Sequence, residues 1–380
     1  MSSSVLSRVK PRPEGGFTHN WNDTILTNLG ATADHFLRTF LSTRMMFANI
    51  GTIPNVFQKE QRAKWDFYRN PEFIRRPETF FKHPEKTTPI VRGADPMGLG
   101  MDEAIYEDII FPSSMSPLNP SYDKEEIFST PQASSIARHI RHKTNSNERP
   151  TLIVVHGYVL DGYDFNAFLF EIERFFRLGF NILMYTMPFH GPRQKKNAAF
   201  SGDGFMVFDA GRIAETIRWS IHDLTRYIDF ITAHSKAPIG MMGFSLGGFH
   251  TALMASLDAR LHFAIPVVPV ITLFDVILDW QPSAAVIQAF LPLLNLSRES
   301  LNETLAVISP LSRPPLVPHE RRFIIAGTAD RMAHPKHAQS LWKHWDEPRM
   351  YWFPGNHLVH FEKERFMREV AVFMRGMRLF

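Results

Sequence analysis

Gly243-Phe244-Ser245-Leu246-Gly247 places a serine between two glycines, after the apolar run Pro238-Ile239-Gly240-Met241-Met242 and before the small-residue helical stretch 248–257. A serine on a tight strand-to-helix turn is lifted clear of the sheet, where its hydroxyl can attack an electrophile. The positions two residues on either side must be nearly free of side chain, because the turn presses them against strand and helix. A helix starting at Leu246 would also turn its positive end toward a developing oxyanion. The spacing alone arises by chance in roughly one chain in ten of this length, so its weight depends on what else the chain supplies.

A hydroxyl nucleophile needs donors for the oxyanion, a base for its proton and an acid to orient that base. Thr151-Leu152-Ile153-Val154-Val155 reads as a strand buried on both faces, and His156-Gly157-Tyr158 follows at once. Glycine lets that loop turn sharply, so that the amide of Tyr158 or Val159 can join the Leu246 amide as an oxyanion donor. Arg321 to Gly327 is a further strand pattern, leading to Asp330. Met350-Tyr351-Trp352-Phe353 is the next, leading to Pro354-Gly355-Asn356-His357.

The chain order Ser245, Asp330, His357 differs from that of other triad folds. With the four motifs each at the carboxyl end of a strand pattern, the chain from about residue 106 to 380 resembles the α/β-hydrolase superfamily, in its serine esterase and lipase-like members. The resemblance implies a mostly parallel central sheet flanked by helices, catalytic residues Ser245, Asp330 and His357, and an oxyanion hole from Tyr158 (or Val159) and Leu246. Some members carry the acid after the preceding strand, which makes Asp275 the reserve candidate. His360 rivals His357 but reads as part of the final helix. The serine argues against the aspartate-nucleophile chemistry of dehalogenases and epoxide hydrolases on this fold.

The reaction implied is hydrolysis of a carboxylic ester through an acyl-enzyme, with a small, hydrophobic acyl substrate and no cofactor. Thioester, amide and carbon–carbon hydrolysis use the same residues. A non-catalytic binding protein on the same scaffold is a further alternative, as is partner or membrane-surface binding by the N-terminal segment.

Composition narrows the classes. The 380 residues are 44% hydrophobic, with no cysteine and a formal net charge of +4, so disulfides, thiolate metal sites and a cysteine nucleophile are excluded. The slight basic excess gives no reason to expect a nucleic-acid partner. The N-terminus lacks the apolar core of a signal peptide and the longest apolar stretch, 263–274, is too short to span a bilayer; a cytoplasmic protein without an integral membrane segment is the expectation. Arg193, Lys195 and Lys196 read as a solvated loop, and His190 as a loop-packing residue. The pairs His139/His142 and His334/His337 lack the helix and carboxylate context of a zinc site, so no metal is expected and all four read as surface residues.

Two organisational expectations remain. Residues 1–105 form a mainly helical extension, with one or two amphipathic helices over 21–50 (Ile25, Leu29, Phe36, Leu37, Phe40 and Leu41 near one face) and shorter elements at 55–68 and 71–81 that pack on the main domain. Residues 106–380 form the hydrolase domain, opening with strands near 106–111 and 134–142. Further helices are expected at 166–178, 212–233 and 362–375. A strongly apolar helical insertion, about 274–312, either caps the site or extends the core.

Overall fold

The apolar runs of the sequence become neighbouring strands of one nine-stranded sheet in the computed structural model. Residues 25–49, 59–112, 115–123, 134–358, 360 and 363–379 are described; the expected elements at 21–24, 50, 55–58 and 361–362 lie outside them. In chain order the strands are β1 (Ile90–Gly93), β2 (Ala104–Phe111), β3 (Ser135–His142), β4 (Thr151–Val155), β5 (Asn181–Thr186), β6 (Ile239–Phe244), β7 (Leu261–Val267), β8 (Phe323–Gly327) and β9 (Arg349–Phe353). In space they run β1-β2-β3-β5-β4-β6-β7-β8-β9. The first three pair antiparallel, and β5 through β9 are parallel.

That topology gathers the site. In parallel strands all carboxyl ends share one rim, and Val155 pairs with Gly243 while Gly327 pairs with Phe353. The loops after β4, β6, β8 and β9 therefore leave the sheet side by side. Strands β4, β5, β6 and β8 are buried at every position, as strands covered by helices on both faces must be. The cover divides into two cores, one on each face.

The long helix Ala210–His234 precedes β6 and is tied to β2, β3 and β5 through Tyr227 and Asp223; Asp209 caps it by accepting the amides of Gly211 (3.0 Å) and Arg212 (3.2 Å). The segment 59–81 docks on this helix as expected. Trp65 Nε1 donates to Asp209 Oδ1 (3.0 Å), and the Tyr68 hydroxyl donates to buried Glu215 (3.1 Å), which also pairs with Arg218 (2.7 Å). Strand β1 departs from the mainly helical extension expected of residues 1–105; its four residues are exposed on the sheet edge, so no buried face marks them in the sequence.

Helix α1 (Ile25–Asn49) lies where the sequence expects it, but turns differently. Phe36 and Phe40 are 70% and 54% exposed, whereas Gly30, Asp34, Leu41, Ser42 and Met45 are buried. The apolar stripe is thus split: Leu41 is buried and Leu37 packs on the core, while Phe36 and Phe40 face outward. Five residues depart from what the sequence leads one to expect. Arg193 is fully buried, with Nη1 donating to the Thr186 carbonyl (2.8 Å) and paired with Asp223 (2.9 Å), against the face of Trp219. His139 and His142 are buried on β3, and His337 is buried with Nδ1 accepting the amides of Ile271 and Thr272 (3.3 Å each). Arg193 and His337 find long-range polar partners, while the rings of His142 and His139 pack on Phe176 and Phe230. His360 precedes the final helix (Lys363–Gly376) and bridges back to Gly355.

Candidate active site

Ser245 follows the last residue of β6 with φ 57° and ψ −112°, outside the regions open to an ordinary L-residue. Such a residue stores on the order of 1–3 kcal/mol and persists because its surroundings over-determine it. Here the glycines do so: a Cβ on Gly243 would lie 2.1 Å from the Gly247 carbonyl oxygen, and one on Gly247 would lie 2.0 Å from that of Val155. The Ser245 amide donates to Val267 across the sheet (2.9 Å), while its carbonyl accepts from Phe249 and Val270 (3.1 and 3.3 Å). The turn is pinned on both sides.

From that turn Ser245 Oγ lies 2.8 Å from His357 Nε2, and His357 Nδ1 lies 2.7 Å from Asp330 Oδ2. The other Asp330 oxygen accepts the amides of Met332 (2.8 Å) and Ala333 (2.7 Å), which fixes the carboxylate's orientation. All three residues are buried. Burial opposes charge on the His357 imidazole, but the Asp330 carboxylate and its hydrogen bond outweigh that cost and leave the pKa raised, with a smaller contribution from Asp34. An imidazole so held can take a hydroxyl proton and be stabilised as the cation.

The reserve acid, Asp275, is turned elsewhere: it pairs with Arg298 (2.5 Å) and faces Lys336 (3.8 Å). His360 braces the loop instead, its Nε2 bonded to the His357 carbonyl (3.1 Å) and its ring packed on Phe353. His190 packs against His156 and Tyr158 and donates Nδ1–H to Pro188 (2.8 Å).

The loop after β4 approaches the serine closely. A Cβ on Gly157 would sit 3.4 Å from that of Ser245 and 3.0 Å from the Phe244 ring. His156 anchors the loop from below: Nδ1–H donates to the Gly157 carbonyl (2.8 Å) and Nε2 accepts the Met187 amide (3.0 Å), a pattern only the neutral ring can make. Burial holds its pKa down to about 4. Leu246 opens the helix Leu246–Met254, whose first-turn amides have no acceptor within the helix.

Tyr158, Ser245 and Leu246 line one small apolar cavity, about 40 Å³, with Met45 of α1 and with Leu273 and Ile277. The last two belong to the helix Leu273–Asp279, which opens the insertion. A second apolar cavity, about 60 Å³, lies among Trp65, Phe274 and Phe290 and shares Ile277 with the first. Among the described residues no three acidic or histidine side chains cluster to hold a metal, and no single helix is long and apolar enough to cross a membrane.

One residue at the site escaped the sequence reading. Asp34, on α1, is fully buried, and its Oδ2 accepts the amides of Arg331 (3.1 Å) and His357 (3.0 Å). An acid repeated with Gly30 and Arg38 at four-residue spacing was the available signal.

No protein-family profile matches the chain. It is 30% identical over 360 residues to the uncharacterized protein Rv2627c of Mycobacterium tuberculosis, an alignment covering 91% of this chain and 81% of that one. This chain belongs to the same family as Rv2627c. The corresponding protein MT2702 of a second strain matches equally, at 30% identity over 360 residues. In structure the chain is similar to an acetyl xylan esterase from Paenibacillus sp. R4, with a TM-score of 0.56 at 16% identity, over 83% of this chain and 95% of that one. Acetyl xylan esterase 1 from Thermoanaerobacterium gives the same score and identity, over 83% and 93%. The Pyrococcus furiosus esterase Pf2001 is similar over 77% of this chain and 98% of its own, with a TM-score of 0.50 at 17% identity. At these identities the likeness is one of fold: an α/β-hydrolase scaffold. The chemistry comes from this chain's own geometry, the hydroxyl–imidazole–carboxylate arrangement of a serine hydrolase.

Proposed function

We propose that this protein hydrolyses carboxylic esters of short, apolar acyl groups through an acyl-enzyme on Ser245. The hydrogen-bonded chain from Ser245 Oγ through His357 to Asp330 carries the reading. His357 Nε2 takes the hydroxyl proton as Oγ attacks the ester carbonyl carbon. The amides of Tyr158 and Leu246 receive the oxyanion, and the imidazolium returns its proton to the departing alcohol. Water, deprotonated by the same imidazole, then attacks the acyl carbon; the acid is released and Ser245 is restored. No cofactor enters.

The substrate class follows from the cavity. Its walls are apolar and the space beside Ser245 is small, about 40 Å³, which favours a short acyl chain. The names of the two similarly folded acetyl xylan esterases point the same way. In this reading residues 106–380 are the hydrolase domain, the preceding 105 residues an extension that adds β1 and α1, and the 274–312 insertion a cap whose Val276 and Ile277 wall the pocket.

Two measurements test it. Fluorophosphonate labelling should occur in the wild type and vanish in Ser245→Ala; labelling that survives the substitution rejects the serine as nucleophile. On a series of p-nitrophenyl esters, with acyl-CoA thioesters alongside, kcat/KM should peak at two to four acyl carbons on the oxygen esters. A preference for thioesters or for chains beyond eight carbons contradicts the proposed substrate class.

A further inference from the structure

Gly30, Asp34 and Arg38 are spaced by four, so on α1 they stand on one face, one turn apart. That face crosses both loops that bring base and acid to the serine. At Gly30 the helix backbone meets Asn356, the residue before His357: the Asn356 side-chain amide donates to the Gly30 carbonyl, and a Cβ on Gly30 would be 3.0 Å from that amide nitrogen. One turn on, Asp34 Oδ2 accepts the amides of His357 (3.0 Å) and Arg331 (3.1 Å). After another turn, Arg38 Nη1 donates to the Arg331 carbonyl (3.0 Å). Beyond it Ser42 Oγ accepts the Ser283 amide (3.0 Å) and donates to the Trp280 carbonyl (2.9 Å), and Met45 reaches the cavity at Ser245.

Asp34 is the centre of this strap. A single oxygen takes one amide from the residue after Asp330 and one from His357 itself. The distance between the two loops is thereby set by a group that belongs to neither. Asp34 Oδ1 has no hydrogen-bond partner among the described residues, so the carboxylate is held in a costly place for the sake of Oδ2. The titratable and charged groups around it are Asp330 and His357 on the catalytic loops, Arg331 beside them and Arg38 on its own helix. Burial, and then the Asp330 charge, push its pKa up to about 6. Above that pH it is an anion beside the imidazole.

We infer that Asp34 is a positioning residue of the catalytic site, fixing the spacing of the acid and base loops through Oδ2 and facing His357 with a second negative charge. The inference rests on the serine-hydrolase reading and extends it to the N-terminal segment. Asparagine keeps an acceptor for both amides and removes the charge; alanine removes both.

The test compares wild type, Asp34→Asn and Asp34→Ala in the full chain, with short p-nitrophenyl esters across pH 5 to 9. Asp34→Ala should lower kcat roughly 10- to 100-fold, the size of one charge-assisted hydrogen bond, with KM within about twofold. Asp34→Asn should recover most of kcat, while the acidic limb of its pH profile moves to lower pH because the imidazolium has lost an anion. Any of three results overturns the inference: wild-type kcat in Asp34→Ala, no recovery in Asp34→Asn, or an acidic limb unmoved in Asp34→Asn. If the alanine variant does not fold, the asparagine profile decides alone. Wild-type enzyme that takes no fluorophosphonate overturns the functional reading as well, whereas failure confined to the Asp34 variants overturns only this inference.

Discussion

The two ends of the hydrogen-bonded chain are held by opposite means. Ser245 is fixed locally, by a positive-φ turn and by two glycines within two residues of it. His357 and Asp330 sit on loops whose ties run some three hundred residues back, to Asn356–Gly30, His357–Asp34 and Arg331–Asp34. A nucleophile can thus be built from a five-residue motif. The base and acid need a framework, and the fold supplies part of it from outside the sheet.

The contrast yields expectations that differ in size and kind. At the loop end, Asp330→Asn should cost the most, on the order of 10³- to 10⁴-fold in kcat, because the imidazole loses the partner that sets its tautomer; a loss below tenfold in purified enzyme would show that another carboxylate orients His357. At the elbow, damage should appear as lost fold. Gly247→Ala brings a methyl within 2.0 Å of the Val155 carbonyl oxygen, and overpacking of this kind costs roughly 1–3 kcal/mol or more. Urea unfolding would measure it; unaltered stability would mean the turn can relax, and the rigid half of the comparison would fall.

The smallest effect is the pH profile itself. A base must be neutral to act, and although burial opposes its charge, Asp330 holds the His357 pKa above the ordinary 6.5. Activity should therefore decline as pH falls through a midpoint above 6.5. A midpoint well below 6 would mean that burial dominates and the carboxylate contributes little.

How much of this was legible follows the same division. Motifs governed by near neighbours could be read: the glycine spacing around Ser245, the apolar runs of β4 and β8, and the short step from each strand end to His156, Asp330 and His357. What depends on distant partners could not. Arg193 reads as a solvated cation until Asp223 and Trp219 close over it, and His337 until the amides of Ile271 and Thr272 reach its ring. On α1 hydrophobic periodicity points to Leu37 and Leu41, which pack, and equally to Phe36 and Phe40, which do not; the packed face also follows close approach at Gly30 and amides that need an acceptor at Asp34. Hydropathy does not record either demand. Strand β1 carries no inward face at all, so only its partner β2 reveals it.

The orientation of α1 has an evolutionary corollary. Phe36 and Phe40 look outward, while Gly30 and Asp34 look in beside Leu41 and Met45. Substitution should be tolerated at Phe36 and Phe40 and resisted at Gly30 and Asp34, which a hydrophobicity plot would pass over.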